Sequence, residues 1–334
     1  MKILKSVIFT VLTVCFLLSS ASTSQAADTL QIITTIFPEY DWVRNILGDN
    51  PAVIEVMQLL DNGVDLHSYQ PTADDILKLS GCDLFIYVGG ESDEWVEDAL
   101  KKAVNKNMVS ISLLEALGDA VKEEELVEGM EADHDHEHEE EHEHKDDEHD
   151  HEHEEVEYDE HVWLSLRNAA VLCQKFADAI SALDPENTAL YQENAAAYIE
   201  KLNALDAEYQ TAVSNASVHT LLFGDHFPFR YLTDDYGLDY YAAFSGCSAE
   251  SEASFETIIF LTRKINDLEL KSVMTIEGKD HRIAQTIVQN TDSKDQQILT
   301  MDSMQSTTSK DSANGTTYLS IMEKNLEVLK EALQ

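Results

Sequence analysis

The sequence predicts an α/β protein with two lobes, each containing a central parallel β-sheet flanked by helices, joined by one long rigid helix. From residue 30 onward, short apolar runs rich in β-branched residues alternate with segments of helical periodicity. The connections between them are short, which favours parallel strands with right-handed crossovers. Residues 186–215 contain no Gly or Pro and carry apolar residues at helical spacing. They predict a helix of about 45 Å, longer than one small domain needs.

The two halves repeat the same order of elements. In the first half, Pro38 fits the first turn of a helix, and Thr72 with Asp75 forms a capping pair. The expected strands are 30–35, 52–60, 83–88, 108–111, 218–223, 238–244, 272–276 and 297–301. The expected helices, besides the long one, are 38–47, 72–79, 95–104, 168–183, 228–236, 254–268, 282–289 and 317–333.

These elements define the expected domain boundaries. Residues 27–185 form the N-terminal lobe, 186–215 the linking helix and 216–334 the C-terminal lobe. Residues 1–26 predict a signal peptide, because two lysines precede an apolar run that ends in small residues. We therefore expect an exported protein, periplasmic or at the cell surface. Cys15 is a candidate for lipid attachment, although Val14 precedes it where a small residue is usual.

The charge excludes two classes of partner. The formal net charge is −42, so phosphate groups of nucleic acids and of anionic membranes would be repelled, whereas cations would be attracted. Cys82, Cys173 and Cys247 remain after signal removal, without CxxC spacing. This pattern does not predict a disulfide framework or a zinc–thiolate cluster. We interpret all three as small buried apolar residues, and whether any two pair stays open.

The most unusual segment is the tract 133–155, which consists almost entirely of His, Asp and Glu. It has no apolar residue with which to offset the entropy of ordering, so a disordered loop is expected at about 123–157. Imidazoles and carboxylates bind borderline divalent metals, whereas a solubilising linker would not need His. The auxiliary metal ligands expected there are His134, His136, His138, His142, His144, His149, His151 and His153.

Polar residues follow several predicted strands, where ligands bind in open α/β sheets. His67, His226, Glu277 and Asp302 each come after a strand, and His161 lies where the acidic loop rejoins the fold. They come from both halves of the chain. A cleft between the lobes would bring them together. Each residue could instead have an ordinary structural role, such as a helix cap for the acids.

Three short motifs show a family resemblance. They are Leu66–Pro71 (LHSYQP), Asp159–Leu164 (DEHVWL) and His226–Phe229 (HFPF). With them, the chain resembles the cluster A-I zinc and manganese solute-binding proteins of bacterial ABC transporters. The resemblance implies metal ligands at His67, His161 and His226, with Asp302, the weaker alternative Glu277 or water in the fourth position. The prolines that precede the first two histidines in the family are absent here.

The resemblance also implies a metal and a function. Manganese-binding members usually carry Glu at the third position, where this chain has His226, so Zn²⁺ is favoured over Mn²⁺. The expected function is capture of Zn²⁺ in the inter-lobe cleft and delivery to a membrane ABC permease by a monomeric binding protein without enzymatic activity. The alternatives are a manganese or iron homologue, a zinc-dependent hydrolase, and a passive metal buffer. No HExxH motif supports the hydrolase.

Overall fold

The computed structural model describes residues 29–49, 54–131, 157–248, 252–278 and 280–334. The predicted signal peptide, Cys15 and the His-rich tract lie outside these ranges. Within them, no helix combines the length and the apolar composition that crossing a bilayer requires.

The N-terminal half forms a first set of alternating strands and helices. In chain order these are β1 (Leu30–Thr34), α1 (Phe37–Leu47), β2 (Ile54–Gln58), α2 (Ala73–Gly81), β3 (Leu84–Tyr87), α3 (Trp95–Lys102), β4 (Val109–Ser112) and α4 (Leu113–Leu117). The predicted cap of α2 is confirmed, since the Thr72 hydroxyl accepts a hydrogen bond from the Asp75 N–H. The short helix α4 was not predicted.

Two helices connect the halves, and the C-terminal half repeats the pattern. The connecting helices are α5 (Leu166–Leu183) and α6 (Thr188–Ser214). The following elements are β5 (Thr220–Phe227), α7 (Arg230–Tyr236), β6 (Asp239–Ser245), α8 (Phe255–Asp267), β7 (Ser272–Ile276), α9 (Arg282–Asn290), β8 (Gln297–Met301), α10 (Ser309–Ala313) and α11 (Tyr318–Ala332). The predicted linking helix is confirmed as the 27-residue α6.

Both sheets are parallel and share one strand order. The first is β2-β1-β3-β4 and the second β6-β5-β7-β8. The chain changes direction across the sheet between the neighbouring strands β1 and β3, and likewise between β5 and β7. In such folds ligands bind near this point, beyond the carboxyl ends of the strands. The predicted fold class is confirmed. The loops after the strands are therefore the places to examine for a site.

A hydrophobic core shared by the two lobes lies beside a second, smaller cluster within the C-terminal lobe. A continuous cluster of buried residues extends from Ile32 and Phe85 in the first lobe to Phe223 and Met301 in the second. The final helix α11 contributes directly, because the Tyr318 ring packs edge-on against Trp42 of α1 with centroids 5.1 Å apart. The Tyr318 hydroxyl also donates a hydrogen bond to the Trp163 carbonyl at 2.6 Å.

The segment Lys122–Glu131, here called the strap, lies across the C-terminal lobe. It pairs with the residues that follow the His-rich tract, since the Glu124 N–H donates to the Glu157 carbonyl at 2.9 Å. Farther along, Glu125 pairs with Arg230 and Glu128 with Lys264. Its end forms a bridge to Phe244 of β6 through Glu131.

The strap corrects the predicted start of the acidic loop. The sequence predicts disorder from about residue 123, but the structure places residues 123–131 against β6 and α8. Composition alone missed this because the acids of the strap are neutralised by basic residues, Arg230 and Lys264, that are remote in the sequence.

A buried carboxyl group in α1 leads to a pH prediction. The Glu39 side chain is fully buried and accepts hydrogen bonds from the Thr35 and Ile36 N–H groups through Oε2. Burial, with the nearby charge of Asp93, raises the pKa of Glu39 from 4.5 to about 8. The folded protein therefore keeps a proton that the unfolded chain releases between these values, so stability is full below pH 4.5 and is lost as pH rises toward 8.

We expect Glu39→Gln to reduce this loss of stability. The amide keeps an accepting oxygen but cannot ionise, so the variant should lose roughly 2–4 kcal/mol less than wild type between pH 5 and pH 8. Guanidinium unfolding at both pH values measures the difference. Glu97→Gln on the surface of α3 is the control and should follow wild type. Equal losses in wild type and Glu39→Gln would contradict the assignment.

Candidate metal centre

The site forms where loops beyond the two sheets meet. His67 lies in a 3₁₀ turn, Leu66–Ser68, after β2, and His161 caps a second such turn at Val162–Leu164. Their rings are 5.1 Å apart. Cys247 reaches the same place from the loop after β6, and the potential ligand atoms of His67, His161 and Cys247 lie within 4.8 Å of one another. The structure therefore brings two of the predicted histidines together with a cysteine.

Each predicted histidine ligand is oriented by an aspartate just before it in the chain. The carboxylate accepts from the histidine backbone N–H and lies beside Nδ1 of the same residue. The Nδ1 to Oδ1 distances are 2.6 Å for Asp65 and His67, 3.1 Å for Asp159 and His161, and 3.3 Å for Asp225 and His226. Because Nδ1 then carries the proton, the lone pair is on Nε2, as in metal-binding histidines.

Glu160 places a carboxylate oxygen next to the histidine pair. Its Oε1 accepts from the Ser92 N–H at 2.9 Å, and only a residue without a side chain fits at Gly90, where a Cβ would collide with that oxygen. Its Oε2 is 3.6 Å from His67 Nε2, and both atoms are buried without a hydrogen-bond partner. Burial opposes protonation of His67, but Asp65 and Glu160 together raise its pKa above the ordinary value.

Gln305, from the loop after β8, forms a hydrogen bond with the Nε2 atom of His161. Its Nε2 is 2.9 Å from His161 Nε2, so the amide donates to the lone pair. The loop is held by Glu277, whose carboxylate accepts from the Ser303 N–H, the Ser303 hydroxyl and the Gln305 N–H. Burial, with the charge of Asp302, raises the pKa of Glu277 to about 7. Glu277 thus supports the loop that contacts His161.

Asp302 lies in the same loop but contacts other groups. Its Oδ1 accepts from the Met304 N–H at 2.8 Å, and its own N–H donates to the Asn325 side chain at 2.8 Å. Met304 has a φ of 67°, a left-handed conformation that the Asp302 hydrogen bond stabilises. The structure does not bring Asp302 into the group formed by His67 and His161 among the described residues.

His226 lies apart from the other two predicted histidines. The sequence places it after its strand, but β5 continues to Phe227 with an irregularity in its pairing to β6 between Phe223 and His226. Its ring packs against Phe244 at 4.9 Å and faces a cavity of about 410 Å³. The backbone of Gly246 passes so close to His161 that a Cβ at this position would be 2.8 Å from the imidazole ring. The next residue, Cys247, lies beside His67 and His161, whereas His226 is outside this group of three.

Three residues of this site were not predicted from the sequence: Glu160, Cys247 and Gln305. Glu160 precedes a predicted ligand directly, but it belongs to an acidic stretch where a single carboxylate does not stand out. Cys247 follows β6, so the rule that ligands follow strands would have found it. Gln305 is three residues beyond Asp302, and its role depends on the turn at Met304.

Two parallel α/β lobes joined by a long helix, with His67 and His161 brought together in the loops, define a two-lobed α/β protein with a candidate metal centre. The chain belongs to the family described as zinc-uptake complex component A, periplasmic, whose model matches residues 32–332.

Known proteins agree with this family. The chain is 32% identical over 322 residues to the zinc-binding lipoprotein AdcA of Streptococcus pneumoniae, covering 95% of this chain and 58% of that protein. It is 31% identical to the high-affinity zinc uptake system protein ZnuA of Bacillus subtilis, covering 97% and 96%. The Zn(II)-bound ZnuA-like domain of S. pneumoniae AdcA superposes with a TM-score of 0.68 at 28% identity, covering 91% and 99%. The chain thus spans little more than half of AdcA.

Proposed function

We propose that the exported protein captures Zn²⁺ between its lobes and delivers it to an ABC permease in the membrane. The observation that carries this proposal is the meeting of His67 and His161, with His67 Nε2 and Glu160 Oε2 buried and unpartnered 3.6 Å apart. That separation is too long for a hydrogen bond. A cation between two such lone pairs would satisfy both.

The donor types favour zinc over manganese. Two imidazole nitrogens suit zinc, whereas manganese prefers sites dominated by oxygen. The names of AdcA and ZnuA, which refer to zinc, support the same metal. His226 and Asp302 stay predicted ligands, although they lie outside the group of described ligand atoms. The eight histidines of the tract also stay predicted ligands, and their proposed role is weak capture of the ion before transfer.

The remaining properties are part of the same proposal. Export and delivery to a permease are supported by relatives described as a lipoprotein and as part of an uptake system. The monomeric state stays a prediction. Glu277 does not fit the general base of a hydrolase, because its carboxylate is already engaged by Ser303 and Gln305. The shared core restricts rotation of the lobes, so we propose release through rearrangement of the loops around the site.

Zinc calorimetry of residues 27–334, with and without residues 133–155, tests the function. We expect both proteins to bind one zinc ion tightly, and the deletion to remove only weaker binding. Manganese should compete poorly for the tight site. Absence of a tight site from the intact protein, or its loss with the tract, would contradict the proposal.

A further inference from the structure

We propose that the strap, together with Glu157 and Tyr158, forms a flap over the cavity that His67 lines. Ion pairs of this flap with Arg230 and Lys264 set how fast zinc enters and leaves. The inference rests on the proposed function, because it assigns to one segment the loop rearrangement through which the ion is exchanged. It concerns the rates of exchange and not the identity of the ligands.

The flap forms part of the wall of the cavity beside His67. This cavity has a volume of about 250 Å³. Its lining includes Glu124 of the strap together with Glu157 and Tyr158. An ion that reaches His67 through this cavity therefore passes the flap.

The two parts of the flap pair with each other as a short antiparallel ribbon. Glu123 and Tyr158 form an antiparallel bridge, and the Glu124 N–H donates to the Glu157 carbonyl at 2.9 Å. Displacement of the strap would therefore carry Glu157 and Tyr158 with it, so that this part of the cavity wall would open as one unit.

The contacts that hold the strap to the C-terminal lobe are largely polar and exposed. Glu125 pairs with Arg230, and Glu128 pairs with Lys264 at 3.1 Å. The side chains of these two acids are 51% and 72% exposed, and every residue of the strap is exposed or half-buried. Exposed ion pairs stabilise weakly, and segments that bury little apolar surface open at low free energy. The strap can therefore lift while the lobe stays folded.

The closed position of the strap is nevertheless specific. Gly129 has a φ of 86°, and a Cβ at this position would collide with the ring of Phe260 on α8. The Glu131 N–H donates to the Ala243 carbonyl of β6 at 3.1 Å. The strap thus has one defined resting position, to which it can return after opening.

Tyr231 marks the point at which the flap would turn. Its buried hydroxyl accepts from the Lys122 N–H at 3.0 Å and donates to the Asp159 carbonyl at 2.8 Å. Beyond this point the chain is buried at Asp159 and His161. Opening of the flap should therefore leave His161 in place, so that zinc entry and release accelerate together while the affinity changes little.

Hydrogen exchange of metal-free protein, residues 27–334, tests the opening. We expect the amides of Glu124 and Glu131 to exchange at least about threefold faster in Lys264→Glu than in wild type, because the reversal replaces attraction to Glu128 by repulsion. The double variant Glu128→Lys/Lys264→Glu restores the pair with opposite polarity. Its exchange rates should return to within about twofold of wild type.

Zinc release into excess chelator tests the functional consequence. The tightly bound ion should leave wild type in a slow phase, separate from any weakly held ion. We expect Lys264→Glu to accelerate this phase by about three- to tenfold and zinc entry by a similar factor, with Kd within about twofold of wild type. The double variant should again restore both rates.

Lys78→Glu is the matched control for both measurements. It disrupts an exposed ion pair with Asp74 on α2 and changes the net charge by the same amount as Lys264→Glu. Its exchange and release rates should stay within about twofold of wild type.

Three results would overturn the inference. They are wild-type exchange and release rates in Lys264→Glu, an acceleration that the double variant does not reverse, and faster release without faster entry, which indicates a damaged site. In each case the slow phase of the wild-type protein still supports the proposed function. Failure of the proposed function is different, since wild type would then bind no zinc tightly and show no slow phase.

Discussion

His161→Ala is expected to lower zinc affinity by at least about 100-fold, or about 2.7 kcal/mol, because it removes a nitrogen donor from the centre of the group. The imidazole is fully buried, and its orientation is fixed by Asp159. Chelator competition with zinc, on protein lacking residues 133–155, gives the affinity without interference from the tract.

His219→Ala provides the matched control for this change. His219 is an exposed histidine that precedes β5 and is not part of the donor group, so its loss should leave zinc affinity within about threefold of wild type. Metal-free His161→Ala should unfold cooperatively, as judged by circular dichroism. Wild-type affinity in a folded His161→Ala protein would refute the location of the site.

Trp163→Ala is expected to destabilise the metal-free protein by about 3–5 kcal/mol, the usual cost of truncating a large buried aromatic residue. Trp163 is fully buried beside His161, with ring centroids 5.2 Å apart. Its indole N–H donates to the Ser303 carbonyl at 2.9 Å, and its own carbonyl accepts from Tyr318. Truncation therefore opens a cavity between segments from both lobes. Guanidinium unfolding measures the loss.

Trp163→Phe separates packing from hydrogen bonding at this position. Phe fills most of the volume but cannot donate to Ser303, so we expect a loss of about 1–2 kcal/mol. A Trp163→Ala protein within about 1 kcal/mol of wild type would mean that the core collapses into the space, contrary to the close packing observed.

The architecture was largely predictable because its signals are local. Apolar periodicity located the strands and helices, and the Thr72–Asp75 pair marked the start of α2. The long helix α6 was evident from thirty residues without Gly or Pro, although the α-helix begins only at Thr188, after a 3₁₀ turn at Pro185–Asn187. The ordered structure of the strap was not predicted because it depends on ion pairs with Arg230 and Lys264. The sequence of the strap itself does not indicate these partners.

The site was only partly predictable because the predicted strands indicate where a loop residue lies but not where its side chain points. His67 and His161 meet as expected from their positions in loops. His226 also follows from the sequence, but one irregularity in the pairing of β5 directs its ring toward Phe244. Cys247 was read as a buried apolar residue because an isolated cysteine has no spacing pattern. Its place after β6 was the available signal, and the structure adds the close approach of Gly246 to His161.

The packing of the last helix against the first has a consequence for folding. Tyr318 donates its N–H to Asp41 and places its ring on Trp42, so the core of the N-terminal lobe is incomplete until the C-terminus has been synthesised. The halves should therefore not fold as separate domains, and thermal unfolding of the whole chain should follow a single transition. Truncation before residue 318 would expose apolar surface in both lobes at once, making such fragments prone to aggregation.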